Sequence, residues 1–288
     1  MSQSREQSAL EPDKALRHWS AHLQLEFARR AGRTRLDRNE HNGPLRVQRL
    51  FHPEVSGKAH CYLLHPPGGV VLGDELQIDV TVNSGAALLT TPSAGRFYSV
   101  GDFRETQRQR VQLRVIDGLL EWLPQETLLF NGVNARLETR IGLQPGARLA
   151  FWDVVVLGRP ACGERFLKGR LEQRLDLVRA GRPLLSERLA LNAGDRLSQS
   201  PIGLGGASTL GIALFSDAPE ADYVNAWLDS VNPTADGPFS VTRRRDLLIA
   251  RYRGEDAVQC RQGFAALWLA QGETRDGAAP AVPRIWHT

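Results

Sequence analysis

Three carboxylates interrupt strand faces that are otherwise apolar. In Ala150-Phe151-Trp152-Asp153-Val154-Val155-Val156-Leu157 both alternating faces are apolar, which predicts a strand covered on both sides with Asp153 turned inward beside Phe151 and Val155. Glu187 shares its face with Leu185, Leu189 and Leu191, and Glu121 sits similarly between Leu119 and Leu123. A carboxylate taken out of water must find a partner or keep its proton, so each acid should meet Arg, water or a metal cation. Two readings follow: structural pairing with the many arginines, or a hydrated, acid-lined interior passage.

His52, His60, Cys61 and His65 fall close together. Imidazole binds nickel, copper and zinc, so His52, His60 and His65 with Asp74 outline a metal-dependent hydrolase built on a β fold. Against that outline, His60 and Cys61 are adjacent in a strand and point to opposite faces, and strand histidines also occur at surfaces or satisfied internally. Two loops carry more than a turn requires. Leu64-His-Pro-Pro-Gly-Gly-Val-Val-Leu-Gly-Asp74 fixes its backbone with two prolines, frees it with glycines and delivers Asp74 to the start of the Leu76 strand; Thr90 to Tyr98 is built in a similar way.

Most enzyme signatures are missing. There is no Walker phosphate loop, no GxSxG and no HExxH. Gly203-Leu-Gly205-Gly206-Ala-Ser208 lacks the third glycine of a dinucleotide loop and has no βαβ surroundings, so it reads as a plain loop.

The elements that would position these groups belong to an ordinary globular chain. With 288 residues, 42% hydrophobic and 24% charged, it can bury a sizeable core without a metal or disulfide. Lys+Arg total 36 against Asp+Glu 32, Lys occurs only at 14, 58 and 168, and the arginines alternate with acids, which argues against nucleic acid as a partner. Arg243-Arg244-Arg245 reads as a solvated strand end or an acidic-protein contact. Three cysteines, at 61, 162 and 260, with no CxxC pair, predict reduced thiols and a cytoplasmic location. The polar, Glu-bearing N-terminus predicts neither a signal nor a transit peptide. The uncharged stretch Leu197 to Ser216 holds Pro201 and four glycines and too few large apolar residues to span a membrane.

Period-two alternation runs from residue 20 to about 215, as in Leu76, Ile78, Val80, Val82 and in Val111, Leu113, Val115. Turn signals fall at Gly43-Pro44, Asn83-Ser84-Gly85, Asp117-Gly118, Asn131-Gly132, Pro145-Gly146 and Ala180-Gly181. The pattern predicts a sandwich, barrel or other stacked β architecture. Helical period comes late: Glu220 to Val231, and Asp256 to Gln271 with Asp256 as cap, Gln259 three residues on and Gly272 as stop. Phe239-Ser-Val241 and Leu247 to Tyr252 read as a hairpin between them. Residues 1–17 are expected to be a flexible tail before one domain over 18–288.

Six segments, in order, carry a resemblance: His65-Pro-Pro-Gly-Gly-Val-Val-Leu-Gly-Asp74, Thr91-Pro-Ser-Ala-Gly-Arg-Phe-Tyr98, Leu120-Glu-Trp-Leu-Pro-Gln-Glu-Thr127, Leu157-Gly-Arg-Pro-Ala-Cys-Gly-Glu164, Pro183-Leu-Leu-Ser-Glu-Arg-Leu189 and Pro283-Arg-Ile-Trp286. From about residue 18 to the end the chain resembles the urease accessory protein family UreD, called UreH in some bacteria. The resemblance implies a non-enzymatic chaperone that binds UreF, through it the nickel-carrying GTPase UreG, and docks on the urease apoprotein. It implies a mainly β, superhelical two-sheet scaffold with two α-helices near the C-terminus. No cofactor is expected to stay bound; nickel(II) is expected to pass through an internal, water-filled tunnel. Asp74 matches the family's acid after the glycine loop, Asp153 the acid of the Trp-Asp strand and Glu187 the acid of the Glu-Arg-Leu motif, and all three become candidates for a transient nickel path. The chain departs from its relatives at Gly95-Arg96, where they often have Ser-Lys, and at Leu72, where many have Gly. Carboxylate and water hold nickel less tightly than imidazole or thiolate, which suits a conduit that must release its ion.

Overall fold

Most turn signals carry the chain from a strand of one sheet to a strand of another, and in the seven-stranded sheet only the outer pairs fold a strand back onto the one before. A computed structural model describes residues 19–71, 73–99, 105–217, 219–232 and 237–287. The tail expected over 1–17 and the departure at Leu72 lie outside the described residues.

Among the described residues, seven strands form one sheet in the order Arg182–Asn192, Arg170–Arg179, Asn134–Leu143, Gln107–Val115, Glu75–Val82, Ser20–Arg30 and Arg33–Asn42. The two outer pairs are antiparallel, and every pairing between them is parallel. The second sheet runs Phe239–Arg244, Leu247–Gly254, Thr209–Ser216, Arg148–Arg159, Leu119–Trp122, Ala86–Thr90, Ala59–Leu64 and Arg46–Val47, with the short Thr127–Leu129 beside Arg148–Arg159 and Gly95–Phe97 beside that.

The chain alternates between the sheets and thereby coils. Glu75–Val82 turns at Gly85 into Ala86–Thr90, Gln107–Val115 turns at Gly118 into Leu119–Trp122, and Asn134–Leu143 turns at Gly146 into Arg148–Arg159. The corners stack: Leu119 N–H donates to the Gly85 carbonyl at 2.9 Å and Arg148 N–H to the Gly118 carbonyl at 2.8 Å. Gly118 has φ +98°, and a β-carbon there would run into the Gly85 carbonyl oxygen, so no other residue fits the corner. This is the superhelical two-sheet scaffold expected of the family.

Two apolar layers hold it together. Leu76, Ile78, Val80 and Val82 meet Leu120, Phe151, Val155 and Leu214 between the sheets. The second sheet is buried on its other face too, where Ala150, Trp152, Val154 and Phe215 pack against helices, which is why Arg148–Arg159 is apolar on both faces. After a single-turn helix α1 (Arg196–Gln199), α2 (Ala221–Val231) supplies Val224 and Trp227 to this layer, and α3 (Ala257–Asp276) supplies Phe264, Leu267 and Trp268. Phe239–Arg244 and Leu247–Gly254 form the expected hairpin, with Arg244 and Arg245 exposed at its end. The stretch Leu197 to Ser216 divides into helix, turn and strand, and no helix among the described residues is long and apolar enough to cross a membrane.

α3 corrects one expectation. The Asp256 carboxylate caps it, accepting from Val258 N at 2.7 Å and Gln259 N at 3.1 Å. Gln259 does not complete a capping box: its Oε1 accepts the Tyr252 hydroxyl, and that oxygen takes the Asp256 N–H instead. The helix runs past Gly272 and ends at Gly277, whose φ is +69°. Gly272 is inside because Pro280 of the returning chain packs on it, leaving no room for a β-carbon.

Candidate functional site

Strand alternation sends Asp153 into the gap between the sheets, where it lines two cavities. A cavity of about 280 Å³ is lined by His65, Thr91, Gly95, Phe97, Trp122 and Asp153, among others; a second of about 500 Å³ is lined by Asp153, Gln173, Glu187, Ile212 and Arg251, among others. Asp153 is the residue common to both. It is partly buried, and that burial raises its carboxyl pKa, opposed by a hydrogen bond from Gln173 Nε2 to Oδ2 at 2.9 Å. Of the three strand carboxylates Asp153, Glu187 and Glu121, it is the one without a cationic partner among the described residues.

Glu187 lies on the edge strand Arg182–Asn192, facing inward with Leu185 and Leu189, and the Arg251 guanidinium from the second sheet pairs with it. This ion pair spans the two sheets at the wall of the larger cavity. Sequence reasoning supplied Asp153 and Glu187 but passed over Gln173, although Gln173 stands between Leu171 and Leu175 in the same pattern.

Asp74 is buried but lines neither cavity. Its Oδ1 accepts from Trp19 N at 3.1 Å and its Oδ2 from Val71 N at 3.0 Å, so it ties the start of the first strand to the glycine loop. It also acts on His65, which lines the smaller cavity: burial lowers the imidazole pKa, and the Asp74 charge opposes that shift.

The hydrolase outline is not assembled. His52 Nε2 meets the Thr34 carbonyl at 2.8 Å, His60 Nε2 meets Glu54 Oε1 at 3.5 Å, and His65 sits by Asp74. Cys61 enters the core between the sheets, on the face away from His60, and burial pushes its thiol up to about 12. Among the described residues no three His, Cys, Asp or Glu side chains converge to hold a metal ion.

Glu121 resolves in favour of structural pairing, with Lys58 as its nearest cation and Arg275 as a second. It is fully buried on the helix side of the second sheet, with Lys58 Nζ at 2.8 Å, the Trp268 indole N–H at 3.0 Å and Arg275 at 3.6 Å. Lys58 is shared with Glu54 at 2.9 Å. Burial opposes the ionisation of Glu54, but hydrogen bonds from His60 and Lys58, the Lys58 charge and the Ala281 amide outweigh it and hold the carboxyl at about 2.

Comparison with known proteins places this arrangement. Residues 20–287 match the family described as UreD urease accessory protein. The urease accessory protein UreD of Alkalilimnicola ehrlichii is 44% identical over 274 residues, covering 94% of this chain and 92% of its own length. The proteins of the same name from Saccharophagus degradans and Pseudomonas entomophila are each 40% identical, the first covering 94% of both chains and the second 97% of this chain and 98% of its own.

Proposed function

Since the chain belongs to the UreD family of urease accessory proteins and so has a role in urease maturation, we propose that it is a non-enzymatic scaffold that carries nickel(II) between partners through the gap between its sheets. The partners are UreF, UreG held through UreF, and the urease apoprotein, and the place of action is the cytoplasm. The observation that supports this reading most directly is the position of Asp153, a partly buried carboxyl that lines two cavities. One ion at a time would meet Asp153 at the neck and Glu187 in the larger cavity. Neither can hold a cation tightly alone, because a tight site needs several convergent ligands. Asp74 supports the passage from outside by fixing the loop that carries His65.

The test uses cells whose own UreD is deleted. Urease is purified from cells complemented with this chain or with its Asp153→Ala/Glu187→Ala variant, and its nickel content and activity are measured. Restored urease with the unmodified chain, and assembled but nickel-poor urease with the variant, supports the passage. Equal nickel from both leaves an adaptor without a path, and no rescue by a soluble, partner-bound chain overturns the assignment.

A further inference from the structure

The inner face of the seven-stranded sheet is built in rows, and polar residues break two of them. Leu76, Gln109, Leu137, Gln173 and Leu189 are in register across five strands. The next row is Ile78, Val111, Thr139, Leu175 and Glu187. Beyond it, Val80, Leu113, Ile141, Leu177 and Leu185 are all apolar. On the other side Gln107 is polar, but its amide donates to the Tyr98 and Val70 carbonyls and it lines neither cavity.

Gln109, Thr139, Gln173 and Glu187 therefore alternate between two neighbouring rows on four successive strands. Gln109 and Thr139 line the smaller cavity, Gln173 and Glu187 the larger, and Asp153 faces both from the opposite sheet. An apolar cavity stays dry, whereas a water molecule stays where it finds about two to four polar partners. Amide and hydroxyl groups offer both donors and acceptors. At the neck a single carboxylate gives a divalent cation at most two oxygens, fewer than its coordination sphere takes.

We propose that Gln109, Thr139 and Gln173 form a polar track that keeps the gap filled with water, so that the cation passes Asp153 with most of its water shell in place. This rests on the passage reading above. The track acts on the shell and not on the metal, and its residues position water while Asp153 supplies the charge.

The test compares Thr139→Val/Gln173→Met, which keeps volume and removes hydrogen bonding, with Asp153→Ala and the unmodified chain in the complemented cells. Nickel per urease is measured alongside recovery of the accessory complex. The double variant should assemble and lower nickel content about fivefold, the effect of roughly one lost hydrogen bond at the barrier. Thr139→Ser should retain full delivery, which separates a hydroxyl requirement from packing. If the double variant does not assemble, Thr139→Val against Thr139→Ser decides the question alone, with the valine variant poor in nickel. Normal nickel in the track variants with nickel-poor urease from Asp153→Ala overturns the track and leaves the passage. Normal nickel from all of them overturns both.

Discussion

Trp152 and Asp153, adjacent on one strand, serve opposite layers. The Trp152 indole packs on Trp286, ring centroids 5.5 Å apart, on the helix side, while the Asp153 carboxyl accepts the Gln173 amide between the sheets. The C-terminal turn thus presses on the back of the strand whose Asp153 lines both cavities. Trp286 also meets Trp268 edge to face, centroids 5.6 Å apart, and donates its N–H to Thr90 Oγ1 at 2.8 Å. Being half-buried, Trp286→Ala should cost about 2–3 kcal/mol, at or below the range for core aromatics, measured by urea unfolding.

Asp153→Asn should stabilise the protein at neutral pH. Burial raises the carboxyl pKa in the folded chain, so the native protein loses stability as pH rises above roughly 4, the unfolded value, until the folded pKa is passed. Asparagine keeps an oxygen for Gln173 and removes that loss. The difference in unfolding free energy should vanish in acid, and a stable variant that delivers little nickel would show function and stability opposed at this residue.

The acid limb of the stability curve should carry the mark of Glu54. Its pKa falls from 4.5 to about 2 on folding, so its contribution is present above the unfolded value and is lost as pH drops through the folded one. That contribution is on the order of 3 kcal/mol. Glu54→Gln should flatten the fall in stability between those two values, leaving the neutral-pH protein weaker by a similar amount.

Lys58 and Glu121 should be worth less than the damage caused by removing either alone. Lys58→Met leaves a fully buried carboxylate short of its nearest cation, at a cost of about 3–5 kcal/mol. Lys58→Met/Glu121→Leu removes both charges, and its loss should be smaller than the sum of the single losses in a double-mutant cycle.

Gly95→Ser should be tolerated. A β-carbon at Gly95 meets only Thr127 Oγ1, at 3.7 Å, and the backbone has no positive φ there. Stability should change by about 0.5 kcal/mol or less, and the new hydroxyl, at a position lining the smaller cavity, should leave nickel delivery equal or improved.

Local signals in the sequence located most elements and missed their partners. The turns at Gly85, Gly118 and Gly146 were legible because a left-handed backbone needs glycine, and Leu76 to Val82 because one face is apolar. Period two does not say whether neighbouring strands are parallel, so the coil came from the family resemblance and not from the alternation. Asp153 could be placed inward from Phe151 and Val155, yet the same logic applied to Glu121 did not reveal that its face meets α3 and Lys58, since the contact to Trp268 spans 147 residues. Asp74 stands out by its glycine loop and by the family's motif, neither of which reveals that its partners are backbone amides brought together by folding. Gly272 is a stop signal locally, and only Pro280 makes it a packing position.

The stacked corners at Gly85 and Gly118 have a bearing on how such a molecule can vary. Each corner is hydrogen-bonded to the one beneath, so the interior lengthens only by whole turns of the coil, each adding a strand to both walls at once. Shorter insertions must bulge outward at the loops and leave the bore unchanged. Variation among related chains of this architecture should therefore concentrate at the loops, while the cross-section of the interior is inherited as a unit.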